Sequence, residues 1–174
     1  MNELMRRETA PDGKTLAETA LNSPAGFLAF GLGSGLSPIA PGTAGTAAGV
    51  LLAFPLTGLP VWAGLLFVAL AFLAGISICE RASQRLGVHD HGGIVWDEFV
   101  GIWLVLVLVP FHWGWWLAAF VAFRFFDVIK PWPIGWLDRK VHGGFGIMVD
   151  DLIAAIYAVA VLWLGDWLAG WLIG

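Results

Sequence analysis

Residues 61–79 read VWAGLLFVALAFLAGISIC, 19 residues without a charge. At 1.5 Å per residue, a helix of that length matches a bilayer hydrocarbon core about 30 Å thick. This stretch decides the fold class, and its neighbours repeat its character. Residues 43–58 (TAGTAAGVLLAFPLTG) are also uncharged, and Leu59 and Pro60 supply the turn between the two runs. Residues 99–123 hold no Asp, Glu, Lys or Arg. Pro110 and the notch His112, Trp113, Gly114 divide that run into a hairpin whose second helix is expected over residues 115–129. Residues 152–173 form a last 22-residue stretch broken only by Asp166. The expected fold is all-α, a polytopic membrane helical bundle of about five spans or partial spans. The 16-residue run 43–58 is short for a full crossing.

Composition agrees. Of 174 residues, 59% are apolar and 13% charged, where a soluble domain carries about 25% charged residues. The 23 Gly and 11 Trp favour close helix contacts and interfacial anchoring. Residues 1–23 are polar, mix both signs and lack the apolar run of a signal peptide. They read as a tail or surface helix ahead of one membrane-embedded domain, residues 24–174. A net charge of −4 gives no basic footprint, which sets nucleic acid aside as a partner. Cys79 is the single cysteine, so neither a disulfide framework nor a thiolate metal cluster is available.

Cations fix the expected orientation, because Lys and Arg near span ends stay cytoplasmic. With the N-terminus inside, one face receives Arg6, Arg7 and Lys14, then Arg81 and Arg85, then Lys130, Arg139 and Lys140, with Arg124 close by. The opposite turns, residues 57–60 and 111–114, and the segment after Gly165 hold none.

The acids and histidines gather on that same face. Residues 88–98, VHDHGGIVWDE, set His89, Asp90 and His91 before a Gly pair and then the adjacent carboxylates Asp97 and Glu98. Adjacent carboxylates repel unless a cation sits between them, and oxygen-only ligands suit Mg²⁺ or Mn²⁺. Acids at a helix N-terminus also serve the macrodipole alone. A second pair, Asp150 and Asp151, follows His142 and another Gly pair in HGGFGIMVDD. Two such pairs at one membrane face favour a convergent site. Arg124, Asp127 and Lys130 follow at i, i+3 and i+6, on one broad helical face ended by Pro131. They read either as a structural ion pair or as phosphate ligands, Arg124 and Lys130, with Asp127 as orienter. Asp138, Arg139 and His142 lie just beyond, where Trp132 and Trp136 suit the headgroup zone.

The uncharged stretch 26–46, GFLAFGLGSGLSPIAPGTAGT, matches neither a P-loop nor a Rossmann fingerprint. It reads as a re-entrant or interfacial loop that packs tightly and offers backbone amides to phosphate. The C-x5-R spacing of Cys79 and Arg85 in CERASQR imitates a cysteine phosphatase. Its Gly-free, helix-prone interior and the neighbouring Glu80 argue against a thiolate there.

Four stretches, FGLGSGLSPIAPGTAGT, VHDHGGIVWDEFVG, FRFFDVIKPWPIGWLD and VHGGFGIMVDD, together resemble the phosphatidylglycerophosphatase A family in order and spacing, over about residues 24–165. The resemblance implies a bacterial, inner-membrane, Mg²⁺-dependent phosphatase that converts phosphatidylglycerophosphate to phosphatidylglycerol among the membrane lipids. The family's charged motif positions fall on the groups named above. The expected mechanism is metal-assisted hydrolysis of a phosphomonoester, with Mg²⁺ on Asp97, Glu98, Asp150 and Asp151. Arg124, Lys130 and Arg139 would bind the phosphate. His89, Asp90, His91, Asp127, Asp138 and His142 are the candidate catalytic groups, a histidine protonating the leaving glycerol oxygen. Two other readings compete. Clustered carboxylates also mark cation transporters and channels, and a structural membrane protein needs no site at all.

Overall fold

The computed structural model describes residues 13, 15–88 and 90–173, the last two by backbone only, and among them it is all-helical. His89 and the cations Arg6, Arg7 and Lys14 of the polar tail lie outside the described residues. The rest of the expected tail includes a short helix, α1 (Leu16–Leu21), started by a capping box in which Thr15 and Glu18 satisfy each other's backbone N–H groups. Ser23 caps α2 (Pro24–Ala29), with Pro24 in the first turn, where its missing N–H costs nothing.

The Gly-rich stretch then winds into tight turns over Gly31–Leu36, with Gly31, Leu32 and Gly33 all left-handed (φ 54, 57 and 99°). Two of these three are glycine, the residue that adopts positive φ at least cost. After a left-handed Ala40, α3 (Pro41–Leu52) begins at a proline. It gives way to a 3₁₀ turn, Phe54–Gly58, where Pro55 removes a backbone donor.

Three longer helices follow: α4 (Val61–Leu86), ended by left-handed Gly87, α5 (Trp96–Leu108) and α6 (Trp113–Ile129). The short α7 (Ile134–Lys140) leads into α8 (Gly143–Ile173). The hairpin expected at Pro110 is present between α5 and α6, and His112 caps α6 by accepting the Gly114 N–H at 3.1 Å.

Among the described residues, α4 and α8 are the two helices long and apolar enough to cross a membrane. At 1.5 Å per residue α4 runs about 39 Å, more than a hydrocarbon core. The other expected spans are shorter. The run 43–58 became the 12-residue α3 plus a turn, because Pro55 stops the helix. The segment 99–109 became part of the 13-residue α5. The last helix differs in the other direction: it starts at Gly143, two turns before the expected Leu152, so Asp150 and Asp151 lie inside it rather than at its cap.

α8 is the centre of the bundle and packs on α4, α5, α6 and α7. Contacts between Gly64 and Val107 and between Gly101 and Phe123 make α5 antiparallel to both α4 and α6. Trp163 donates to the Leu108 carbonyl at 3.0 Å near the far end of α5 and α8. The C-terminal ends of α4 and α6 and the N-terminal ends of α5 and α8 therefore share one end of the bundle, where the charges are.

Small residues set the spacing. A Cβ on Gly49 of α3 would lie 2.8 Å from Ile102 Cγ2 and 3.3 Å from the Phe99 Cα on α5. Across the same seam, the Trp103 indole donates to the Gly49 carbonyl at 2.8 Å. The outer faces are apolar: Trp62, Leu66, Leu70 and Leu73 on α4 and Leu117, Val121, Phe125 and Val128 on α6 are all exposed. Lipid tails, not water, suit such a mantle.

Gly49→Val should force α3 from α5 and cost about 1–3 kcal/mol, read as a lowered melting temperature in detergent. Leu51→Ala on the exposed outer side of the same helix should stay within about 0.5 kcal/mol of the parent.

Candidate active site

The first turn of α5 carries Asp97 and Glu98, and α8 carries Asp151. One carboxylate oxygen from each lies within 4.8 Å of the other two. All three residues are buried, with 8%, 9% and 3% of their surfaces exposed. Asp97 Oδ1, Glu98 Oε2 and Asp151 Oδ2 are enclosed and have no hydrogen-bond partner among the described residues. Burying unpartnered carboxylates costs several kcal/mol each. A hard divalent cation removes that cost, and an all-oxygen donor set fits Mg²⁺ or Mn²⁺ rather than zinc.

Local structure explains the placement. The Val95 N–H donates to the Ala29 carbonyl at 2.8 Å, tying the loop before α5 to α2. The positive end of the α5 dipole then receives Asp97 and Glu98. The Gly-rich stretch closes over them. A Cβ on Gly42 would collide with Glu98 Oε1 and lie 3.2 Å from both terminal nitrogens of Arg124. Tight packing by this stretch is therefore literal at Gly42, which the sequence pattern did not single out.

Asp150 does not join Asp151. Its carboxylate accepts from Lys130 Nζ at 2.7 Å and from the Asp151 N–H at 3.0 Å. Neighbours on a helix diverge by about 100°, so the two acids of the DD pair face different partners. Lys130 is the left-handed C-cap of α6, and its ammonium also binds Asp138 at 2.7 Å. Burial pulls the Lys130 pKa down, but the charges and hydrogen bonds of Asp150 and Asp138 outweigh it and raise the pKa above the ordinary lysine value. Lys130 is thus a charged strut between α6, α7 and α8.

Arg124 pairs with Asp127 one turn on and stands 3.7 Å from Glu98 Oε1. The expected face of Arg124, Asp127 and Lys130 accordingly splits, Arg124 and Asp127 turning toward the carboxylate cluster and Lys130 toward Asp150. His91 is half-buried, and its Nδ1 accepts the Gly93 N–H at 3.0 Å. Asp90, Arg139 and His142 are exposed around this end, and Asp138 is half-buried. Cys79 is fully buried inside α4, its sulfur 3.7 Å from Met148 Sδ, while Arg85 reaches Ser23. Nothing there forms an anion cradle. Glu80, noticed in the sequence only as a neighbour of Cys79, accepts the Gly144 N–H at the start of α8.

Fold and site together define a class: a helical bundle with membrane-length helices and a buried, cation-ready carboxylate centre flanked by an arginine at its charged end. The chain belongs to the phosphatidylglycerophosphatase A family, which it matches over residues 27–166. It is 50% identical over 155 residues to phosphatidylglycerophosphatase A of Haemophilus influenzae, covering 87% of this chain and 94% of that one. The Escherichia coli phosphatidylglycerophosphatase A is 46% identical over 156 residues, covering 88% and 91%. A Bacteroides thetaiotaomicron protein, 36% identical over 153 residues and covering 83% and 94%, carries the provisional name phosphatidylinositol-3-phosphatase. No solved structure matches the chain.

Replacing Asp97 or Asp151 by Asn should relieve like-charge burial and stabilise the cation-free protein by about 1–3 kcal/mol. The parent should gain about 2.7 kcal/mol from Mg²⁺ at a hundredfold excess over its Kd, and the variants much less. Thermal melts in EDTA and in Mg²⁺ read both effects. An unchanged Mg²⁺ response in both variants would count against the cluster as a cation site.

Proposed function

We propose that this chain hydrolyses the terminal phosphomonoester of phosphatidylglycerophosphate to give phosphatidylglycerol, at the cytoplasmic face of a bacterial inner membrane, with Mg²⁺. One observation carries the reading: three buried carboxylates, each with one oxygen that no donor among the described residues meets, at the charged end of an apolar bundle, in a chain with 46% and 50% identity to two phosphatidylglycerophosphatases A. The one-sided distribution of Lys and Arg supports the cytoplasmic face. It also supports about five passes or partial passes, with the short helices α3 and α5 reaching only part of the way.

Asp97, Glu98 and Asp151 would hold the Mg²⁺, which when bound supplies Lewis-acid neutralisation of the phosphoryl charge. Arg124 binds the phosphoryl oxygens. Its guanidinium is aimed by Asp127 and lies at the edge of the carboxylate cluster. The first-turn N–H groups of Gly42 and Thr43 at the start of α3 have no intrahelical acceptor, so they offer donors to the same anion. In hydrolysis a water oxygen bonds to phosphorus as the bond from phosphorus to the glycerol oxygen breaks, and the proton the water gives up balances the one the glycerol oxygen takes. His91 suits contact with that oxygen: with Nδ1 accepting from Gly93, the neutral ring presents Nε2–H as a hydrogen-bond donor, and an imidazolium able to give up a proton would have to release Gly93 first. Lys130 is occupied by Asp138 and Asp150, so it acts as a strut rather than a phosphate ligand.

Purified, detergent-solubilised protein should release phosphate from phosphatidylglycerophosphate in Mg²⁺ and not in EDTA. It should prefer that lipid over phosphatidate and phosphatidylinositol 3-phosphate. Arg124→Met should lower kcat by about 10²–10³, and Asp97→Asn and Asp151→Asn should reduce turnover to background. Equal rates in EDTA, or full activity in both Asn variants, would remove the metal from the reading. Absence of any lipid phosphatase activity in folded protein would leave cation flux in liposomes as the next assay.

A further inference from the structure

Glu80 ties the seam between α4 and α8 at the charged end. Glu80, in the last two turns of α4, accepts the Gly144 N–H at 2.5 Å, and its other oxygen accepts from Gln84 at 2.6 Å. The start of α8 is thus capped by a carboxylate from another helix, placed where the helix dipole favours a negative charge.

The backbone there permits nothing bulkier. Gly143 is left-handed (φ 77°), and a Cβ on it would lie 2.7 Å from Glu80 Oε2. A Cβ on Gly144 would overlap the Ile76 carbonyl and sit 2.8 Å from the Glu80 nitrogen. One turn deeper, Met148 fills the notch at Gly75, its sulfur 2.6 Å from where that glycine's Cβ would stand, and touches Cys79 at 3.7 Å. Gly144, Met148 and Asp151 follow at i, i+4 and i+7, so they share the face of α8 turned toward α4 and the cluster. The height of Asp151 beside Asp97 and Glu98 is therefore set by where α8 is pinned at Gly144.

We propose that Glu80 is a positioning residue for the carboxylate centre: its hydrogen bond to Gly144 fixes the axial register of α8 and thereby places the Asp151 carboxylate within reach of the cation held by Asp97 and Glu98. This rests on the cation site of the proposed function. The role belongs to the acceptor atom and its reach, not to the negative charge. Gln keeps an oxygen acceptor at the same distance, Asp keeps the charge but shortens the arm, and Ala keeps neither.

The test is Mn²⁺ binding to the full-length protein in detergent, read from loss of the free-Mn²⁺ electron paramagnetic resonance signal, with no turnover required. Glu80→Gln should bind Mn²⁺ within about twofold of the parent, while E80D and E80A should bind about tenfold or more weakly, the scale on which lost outer-shell support lowers metal affinity. Melting curves in EDTA identify any variant that fails to fold, and the order of E80Q against E80D decides the matter without E80A. Affinity kept in E80D and lost in E80Q would make Glu80 a charge effect and overturn the proposal, as would parental affinity in all folded variants. No Mn²⁺ uptake by the parent overturns the cation site itself.

Discussion

Three carboxylates face one another inside this bundle, each with an oxygen that no donor among the described residues reaches, and the surrounding helices are built to hold them in place. Like charges out of water push apart by several kcal/mol. In a bilayer no hydrophobic effect presses helices together, since lipid tails are as apolar as leucine. Close packing has to supply the restraint. It does so where a small residue lets one helix backbone meet another: Gly49 against Phe99 and Ile102, Gly101 against Phe123, Gly75 against Met148. Indole donors to backbone carbonyls across the same seams, Trp103 to Gly49 and Trp96 to Ala71, add bonds whose loss would leave buried polar atoms unpaired.

The polarity of the bundle matches the chemistry proposed for it. Its flanks are apolar and its core at one end is ionic, the arrangement needed to keep acyl chains beside the helices while a phosphate reaches the carboxylates. The ionic end also collects the segments with the least regular backbone, the left-handed run at Gly31, Leu32 and Gly33 and the turn at Ala40. Irregular backbone in a membrane protein survives where protein or water covers it. Here it is packed on the loop before α5: a Cβ on Gly35 would strike the Gly93 carbonyl.

Much of this was legible in the chain, for identifiable reasons. Long uncharged runs gave α4 and α8, and a proline with a polar notch gave the hairpin between α5 and α6, because both signals are local. The sequence pairs the acids, and the structure keeps Asp97 and Glu98 side by side. It separates Asp150 from Asp151: helical geometry sends Asp150 to Lys130 and Asp151 to the cluster, a distinction visible only once α8 is known to begin at Gly143. The spacing of Arg124, Asp127 and Lys130 placed them on one face, but the left-handed cap at Lys130 turns its ammonium toward another helix. Gly42 and Glu80 gave no local signal at all. Their importance lies in what another helix brings against them, and a pattern within one segment carries no record of that.

Charge accounting at the ionic end narrows the division of labour. Among the described residues, Asp97, Glu98, Asp127, Asp150 and Asp151 are met by the cations Arg124 and Lys130, and Lys130 is shared between Asp150 and the further acid Asp138. A phosphomonoester brings additional negative charge to this place, so with side chains alone its approach is opposed. Lys130 commits two of its three N–H donors to Asp138 and Asp150, and turning it away from Asp150 would strand a buried carboxylate, a loss larger than one phosphate contact repays. Arg124 is different. Its planar guanidinium has five donors, of which the contacts to Asp127 and Glu98 use only some, so it can take a phosphoryl oxygen without giving up its partners. On the proposed function, a divalent cation at the unpartnered oxygens would meet the remaining deficit, and its occupancy would then be a condition for binding the anionic substrate as well as for cleaving it.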